Sequence, residues 1–251
     1  MPLPKAIVFD LDQTLSASKV NISPAMAERL TALLSRIPVA ITSGQKFERL
    51  LEQVAAFLPT EALANLYLLP TSGAALFTFD GAGWRPVYEE RISDDEARRI
   101  ISIVEKAGRE HGIIDDAQQT WGPRLEHRMN EVAYSGLGQN APIGPKEAFD
   151  PDRARRRAFR DVLIPLLPGY EVRVAGATTI DITKEGIDKA FGLRNLATHL
   201  GIPIPDMLYI GDDLGPGGND EVVIQTGIPT RAVRDPDDTA AYLDGLLGET
   251  P

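Results

Sequence analysis

The sequence contains no cysteine. That absence excludes disulfides, iron–sulfur clusters, thiolate zinc sites and cysteine nucleophiles together. Histidine is scarce: His111, His127 and His199 stand far apart, which argues against a histidine-built metal centre. No apolar run approaches the ~20 residues of a membrane-spanning helix. The first nine residues carry one lysine and a short apolar stretch, less than a secretory leader needs, so a cytoplasmic protein is expected. Basic residues are in deficit, 26 against 36 acidic ones for a net charge of −10, which disfavours nonspecific nucleic-acid binding. Neither a nucleic-acid nor a membrane partner is expected. A Gly-x-x-x-x-Gly-Lys-Ser/Thr loop is also missing, which argues against a P-loop ATPase.

What is present describes a globular chain. Its 251 residues suffice for one large domain or two modest ones, at ~100–200 residues per domain. Ala6-Ile7-Val8-Phe9 is a short, β-branched apolar run stopping at Asp10, the pattern of a buried parallel strand. Ser23-Pro24 opens a helix with Ser as N-cap and Pro at the first helical position. Val39-Ala40-Ile41 is a second strand, running into Thr42-Ser43-Gly44, and Phe47–Phe57 reads as an amphipathic helix. Leu66–Leu69 reads as a third strand, followed by Thr71-Ser72-Gly73 and a hairpin turning at Asp80-Gly81. From about Tyr88 the pattern changes. A capping box, Ser93 with Glu96, starts a helix to Ala107, and Arg124–Ser135 alternates like one antiparallel strand. Pro151–Leu167 reads as a helix whose basic run Arg153–Arg160 is expected on a solvated face, and Glu171–Val174 and Thr179–Ile182 as short strands. Parallel character returns with a helix from near Gly186 to Leu200 and the strand Met207–Ile210. The expected fold is α/β: a Rossmann-like, doubly wound parallel-sheet core, residues 1–87 and 186–251, with an inserted α+β cap, residues 88–185.

The chemistry-bearing residues gather at predicted strand ends. Asp10 and Asp12 leave the first strand at i and i+2 and can converge on one metal ion, at the edge where open α/β sheets bind ligands. Magnesium takes oxygen ligands and shares them with substrate phosphate. Beside a cation Asp10 stays ionised and can attack phosphorus. Alone, the pair could equally cap turns. A second acidic cluster, Gly211-Asp212-Asp213 followed by Asn219-Asp220, ends another apolar strand, and a third strand ends near Ser43. Lys189 is available to pair with a phosphate or a carboxylate. Acids for metal, with a hydroxyl and a lysine for phosphate, make the inventory of phosphoryl transfer without a nucleotide loop.

Asp10-x-Asp12-x-Thr14, Ser43, Lys189 and Gly211-Asp212…Asn219-Asp220 occur in the order of the four motifs of the haloacid dehalogenase superfamily, which the chain resembles over nearly its whole length. The inserted module resembles the α+β cap of its sugar-phosphatase branch. The ending Pro216-Gly217-Gly218-Asn219-Asp220, together with Gly186-Ile187-Asp188-Lys189 and Thr179-Ile180-Asp181, is most similar to the eukaryotic-type phosphomannomutases. The resemblance implies Asp10 as nucleophile and Asp12 as general acid and base. It implies Mg2+ held by Asp10, Asp12 through its carbonyl, and Asp212, with Asn219 and Asp220 orienting its shell. Ser43 and Lys189 would bind the transferring phosphoryl group. Lys19, Arg128, Gln139, Lys146, Thr179 and Asp181 fall at substrate-binding positions. Three of these depart from the mutase pattern, where Lys19, Gln139 and Lys146 replace arginines. A mutase must hold two phosphates, and lysine or glutamine grips phosphate less well than the arginine fork.

The resulting expectation is a Mg2+-dependent phosphohydrolase acting on a small phosphorylated metabolite, a hexose phosphate, through an aspartyl-phosphate. The alternative is a phosphomannomutase-like intramolecular phosphotransferase, converting mannose 6-phosphate to mannose 1-phosphate. A non-catalytic sugar-phosphate-binding regulator is a third reading, against which the intact Asp10/Asp12 pair argues. A homodimer through the cap is left open.

Overall fold

A computed structural model of the chain describes residues 3–248. The chain forms two compact units, residues 1–89 with 187–251, and residues 90–186.

The first unit begins with β1 (Ala6–Asp10), α1 (Pro24–Leu34), β2 (Val39–Thr42), α2 (Phe47–Gln53), β3 (Leu66–Leu69), β4 (Ala75–Phe79) and β5 (Trp84–Glu89). Every residue of β1 and β2 is buried, as expected of strands covered on both faces. Ser23 caps α1 by accepting from the N–H of Met26 at 3.1 Å, and α1 turns Met26, Leu30 and Leu33 inward. The helix predicted over 47–57 ends at Gln53 and continues as a 3-10 turn over Ala55–Phe57. Val54 between them has non-helical φ and ψ, a local break that hydrophobic spacing does not report.

The second unit contains α3 (Asp94–Glu110), β6 (Leu125–Arg128), β7 (Glu131–Ser135), α4 (Ile143–Phe149), α5 (Ala154–Leu163), β8 (Tyr170–Ala175) and β9 (Thr179–Lys184). Its sheet has the order β6-β7-β9-β8, antiparallel throughout. Ser93 and Glu96 form the capping box of α3. Val132, Tyr134, Ile180, Ile182 and Val172 pack with Ile100, Val104, Phe159 and Leu163 of α3 and α5 in one core. Two expectations are corrected here. Arg124–Ser135 is a hairpin, not one strand, because the alternation continues through the turn at Met129-Asn130. The run Arg153–Arg160 is not wholly solvated: Arg156 is buried, its Nε donating to Asp150 at 2.9 Å and its Nη1 to the carbonyls of Ala175 and Gly176 at 2.9 Å each. Asp150 also accepts from the N–H groups of Arg155 and Arg156, closing the start of α5.

The chain completes the first unit with α6 (Lys189–Leu200), β10 (Met207–Gly211), α7 (Glu221–Ile224), β11 (Thr230–Ala232) and α8 (Pro236–Gly248). The seven-stranded sheet has the order β11-β10-β1-β2-β3-β4-β5. β11 to β3 are parallel, and β4 and β5 antiparallel. The α/β class with a parallel-sheet core is thus borne out. β1 lies between β2 and β10, so the strand order reverses there. Ligands bind beyond the carboxyl ends of strands at such a switch point. Asp10 lies level with Thr42 of β2, and Phe9 with Ile210 of β10, so the three strand ends meet at one edge. No helix among the described residues is long and apolar enough to cross a membrane.

Candidate active site

Asp10 is the last residue of β1 and only 4% exposed. Leu11 and Leu15, buried beneath the following turn, anchor it, and the N–H groups of Leu15 and Ser16 both donate to the Leu11 carbonyl. The turn passes through Gln13 at φ +62°, a left-handed conformation that costs a non-glycine residue about 1–2 kcal/mol. A glycine at this position would adopt the same conformation without that cost.

Lys189 opens α6, whose N-cap Asp188 accepts from the N–H of Phe191 at 2.8 Å. The Lys189 ammonium is buried and donates to Asp10 Oδ1 at 2.7 Å, Asp220 Oδ1 at 2.6 Å and Asn219 Oδ1 at 3.0 Å. Asp220 also accepts from the hydroxyl of Tyr209 in β10. Two glycines permit this packing. A Cβ on Gly211 would collide with the Asp220 carboxylate, and one on Gly218 with the main chain of Asp213. Asp213 in turn holds the loop by accepting from the N–H of Asn219 at 2.9 Å.

Carboxylate oxygens of Asp10, Asp212 and Asp220 lie within 4.8 Å of one another. Burial pushes the Asp10 carboxyl up to about 7; the Lys189 charge opposes this, while Asp220 and Asp212 add to it. Burial and the neighbouring Asp220 and Asp213 also raise Asp212. Burial alone would lower the Lys189 ammonium, but Asp10 and Asp220 hold it above its usual range. Three carboxylates thus face one ammonium, an excess of negative charge that a divalent cation would neutralise. The donors are all oxygen, as a hard cation requires, so the residues present fit such an ion.

The Asp12 carboxylate lies outside that cluster. Its Oδ1 accepts from the Lys19 N–H at 2.7 Å, and its Oδ2 from Gln45 Nε2 at 2.9 Å. Lys19 reaches it with its main chain, while its residue is exposed and at φ +62°. Thr14 donates to Asp212 Oδ1 at 3.3 Å. Ser43 directly follows β2 and is buried, its N–H donating to the Leu69 carbonyl and its Oγ accepting from the N–H of Gln45.

The remaining sequence-selected residues lie in the second unit. Arg128 on β6 donates to Glu126 at 2.8 Å, Glu131 at 2.7 Å and Gln139 Oε1 at 3.2 Å. Lys146 donates to the Gln139 carbonyl at 3.3 Å. Asp181 on β9 is pushed up to about 6 by burial first and by Glu131 second, against the pull of Arg128. Thr179 turns its hydroxyl back onto the Ala175 carbonyl at 2.6 Å and closes the β8–β9 turn. The structure therefore gathers Asp10, Lys189, Asp212, Asn219 and Asp220 in one cluster, and Arg128, Gln139 and Lys146 in another.

Sequence reading did not select Gln45 or Tyr209. Tyr209 offered one signal, a hydroxyl inside an otherwise apolar strand two positions before Gly211. Gln45 offered only its position two residues beyond Ser43.

A mixed sheet with a parallel core, acidic strand ends and a buried lysine beside them gives the first unit the build of an enzyme core. A family model described as haloacid dehalogenase-like hydrolase matches residues 7–220, and the chain belongs to that family. It is 28% identical to a probable phosphomannomutase of Caenorhabditis elegans, over 97% of this chain and 95% of the relative. Among solved structures it resembles a haloacid dehalogenase-like hydrolase of Bacteroides thetaiotaomicron (TM-score 0.67, 16% identity, 97% of this chain and 100% of that one). It also resembles the IMP-nucleotidase of Plasmodium falciparum (TM-score 0.67, 18% identity, 98% of this chain and 67% of that one).

Proposed function

We propose that the chain transfers the phosphoryl group of a small phosphorylated metabolite, a hexose phosphate, to its own Asp10 and then to water. The observation that carries this reading is the buried Asp10 at the β1 end, 2.7 Å from Lys189 and clustered with Asp212 and Asp220. Asp10 attacks phosphorus and the ester P–O bond breaks. Asp12 gives its proton to the departing sugar oxygen, then takes a proton from the water that cleaves the aspartyl-phosphate. Lys189 and Ser43 hold the phosphoryl oxygens and keep the transferring group in line. Asp10, Asp212 and the Asp12 carbonyl would hold Mg2+, with Asp220 and Asn219 behind them. When bound, that ion supplies positive charge against which phosphoryl oxygens and the Asp10 carboxylate can approach.

Residues 88–185 serve, on this reading, as the substrate-specificity domain. Hydrolysis is favoured over mutation by the charge around Arg128. Glu126 and Glu131 already neutralise its guanidinium, and Gln139 beside it is uncharged. A second phosphate would have to displace those carboxylates, a poor grip for a bisphosphate intermediate. The comparisons lean the other way: the curated relatives are phosphomannomutases, and the probable phosphomannomutase of C. elegans is similar over nearly the full length of both chains.

A panel of hexose monophosphates decides between them, assayed with Mg2+ in the presence and absence of a hexose 1,6-bisphosphate. Hydrolysis predicts free phosphate without dependence on the bisphosphate. Bisphosphate-dependent interconversion of mannose 6-phosphate and mannose 1-phosphate, with little phosphate released, would establish the mutase instead.

A further inference from the structure

Asp12 can act as acid and base only if its carboxyl is aimed at the ester oxygen. An aspartate side chain rotates about two bonds, and a half-exposed one on a turn has no reason to keep one rotamer unless something holds both oxygens. Here both are held. The Lys19 N–H fixes Oδ1 at 2.7 Å, and the side-chain amide of Gln45 fixes Oδ2 at 2.9 Å. The first contact is main chain and survives any side-chain change at position 19. The second depends on Gln45 alone.

The main chain of Gln45 is itself held at two points, and the loop carrying it at a third. Its N–H donates to Ser43 Oγ at 3.1 Å. Its carbonyl accepts from the N–H of Thr71 at 2.8 Å, and the Ser43 carbonyl next to it accepts from the N–H of Ser72 at 2.8 Å. Thr71 and Ser72, at φ +48° and +55°, are consecutive non-glycine residues in the left-handed region. Such a turn persists only where its surroundings over-determine it. The two N–H groups it presents are the ones that clamp the loop carrying Ser43 and Gln45. A line of contacts therefore runs from the end of β3, through the 71–72 turn and the Gln45 main chain, to the Gln45 amide and the Asp12 carboxylate.

We infer that Gln45 is a positioning residue that sets the orientation of the Asp12 carboxyl for proton transfer to and from the substrate oxygen. The inference rests on the acid–base reading of Asp12 given above. It concerns where the carboxyl points; Gln45 touches no reacting atom and moves no proton. Its amide supplies a donor to the carboxylate and, when Asp12 carries its proton on Oδ1, keeps Oδ2 engaged through the cycle.

The test separates an orienting role from a merely structural one by the leaving group. Phenyl phosphate needs a proton on its departing oxygen; p-nitrophenyl phosphate, of similar size, departs without one. Release of the phenol or nitrophenol is followed in a single turnover with enzyme in excess and Mg2+ present. Gln45→Met keeps the length and loses the donor. It is expected to slow phenyl phosphate about tenfold or more, a fraction of the ~10²–10⁴ that acid–base catalysis supplies. With p-nitrophenyl phosphate the loss should stay under about threefold, and substrate affinity should be unchanged for both. Gln45→Arg, which restores a donor, should recover most of the phenyl phosphate rate. Gln45→Leu also removes the donor without adding charge and carries the same expectation as Gln45→Met should the latter fold poorly. Asp12→Asn is the reference and should show the same leaving-group signature, with the double variant no worse than Asp12→Asn. If Asp12→Asn shows the signature and Gln45→Met does not, the positioning role falls and the acid–base reading stands. If Asp12→Asn loses both esters equally or neither, the acid–base reading falls and the role of Gln45 with it.

Discussion

Each unit of the molecule buries one cation among carboxylates, and the two arrangements differ in their balance. In the second unit Arg156 faces a single carboxylate, Asp150, and gives Nη1 to the carbonyls at the β8–β9 turn and Nη2 to the Asp150 carbonyl. Burial alone would push the Asp150 carboxyl up, yet Arg156 and two backbone N–H groups bring it below its usual range. In the first unit Lys189 faces two carboxylates directly and a third, Asp212, lies close by. There Asp10 is driven up to about 7 by burial despite the lysine beside it. A buried pair that satisfies itself ties elements together. A buried cluster left with surplus negative charge is poised to receive positive charge from outside.

Breaking the unbalanced cluster at its centre should have the largest effect. Asp10→Asn is nearly isosteric but offers no nucleophilic carboxylate. Steady-state phosphate release should fall by about three orders of magnitude or more, with the far-ultraviolet circular dichroism unchanged. A variant keeping more than roughly a tenth of the activity would remove Asp10 from the nucleophile's role.

Breaking the balanced pair should cost stability instead. Arg156→Met leaves the buried Asp150 with its two backbone donors but without its counter-charge, a loss of about 3 kcal/mol. Urea unfolding read by hydrogen exchange in α5 and β8 should show it, and exchange in β1 and β10 should change little. A loss shared equally by both sets of strands would mean that the two units do not unfold separately.

Supplying the missing positive charge sharpens the contrast. Mg2+ at about 100 times its dissociation constant should stabilise the folded protein by about 2.7 kcal/mol. The gain should appear in the exchange of β1 and β10 and vanish in Asp212→Asn. Equal protection of α5 and β8 would place the cation elsewhere.

A smaller effect follows from Asp181, on β9 of the second unit's sheet. Burial, then Glu131, lift its folded carboxyl to about 6, above the range of an unfolded aspartate. Folding therefore takes up a proton between the two values. The stabilisation is fully present at acid pH and is lost as pH rises through about 6. Between about pH 4 and 7 it amounts to roughly 1–3 kcal/mol, and Asp181→Asn should flatten the pH dependence of the urea midpoint. A slope unchanged in that variant would assign the titration to another group.

The smallest effect is a gain. Gln13→Gly relieves a left-handed residue at φ +62° but adds chain entropy to the unfolded state. The net stabilisation should be roughly 0.5–1 kcal/mol by thermal unfolding. A loss would show that the Gln13 side chain contributes contacts outweighing its backbone strain.

Much of this contrast was legible in the sequence on one side only. Apolar runs that stop at Asp10 and at Gly211-Asp212 announce buried strands with acids at their ends, and the α/β core follows from them. Motif order named Asp10, Lys189, Asn219 and Asp220, which the structure joins in one hydrogen-bonded cluster. The partners that complete it were not readable, because they come from neighbouring strands and loops: Tyr209 reaches Asp220 from β10, and Gln45 reaches Asp12 from the loop after β2. Arg156 was misread for a related reason. Arg156 shares the buried face of α5 with Phe159 and Leu163, a spacing readable in the sequence, but the carboxylate that accepts it there lies outside the helix at Asp150. The short elements α4, α7 and β11 escaped as well: unlike β1 to β3 they are not buried apolar runs, α4 having no buried residue and β11 being exposed throughout, and two turns or fewer of helix carry little periodicity.

On the proposed reading, the surplus negative charge around Asp10 prepares it, once a cation is bound, to accept a phosphoryl group. The most direct measurement is a rapid acid quench of enzyme turning over a hexose phosphate with Mg2+, followed by proteolysis and mass spectrometry of the peptide spanning β1. A transient phosphoryl group on Asp10, absent in Asp10→Asn, is expected. A phosphoryl group on any other residue, or none on the protein while a single turnover runs to completion, would contradict it.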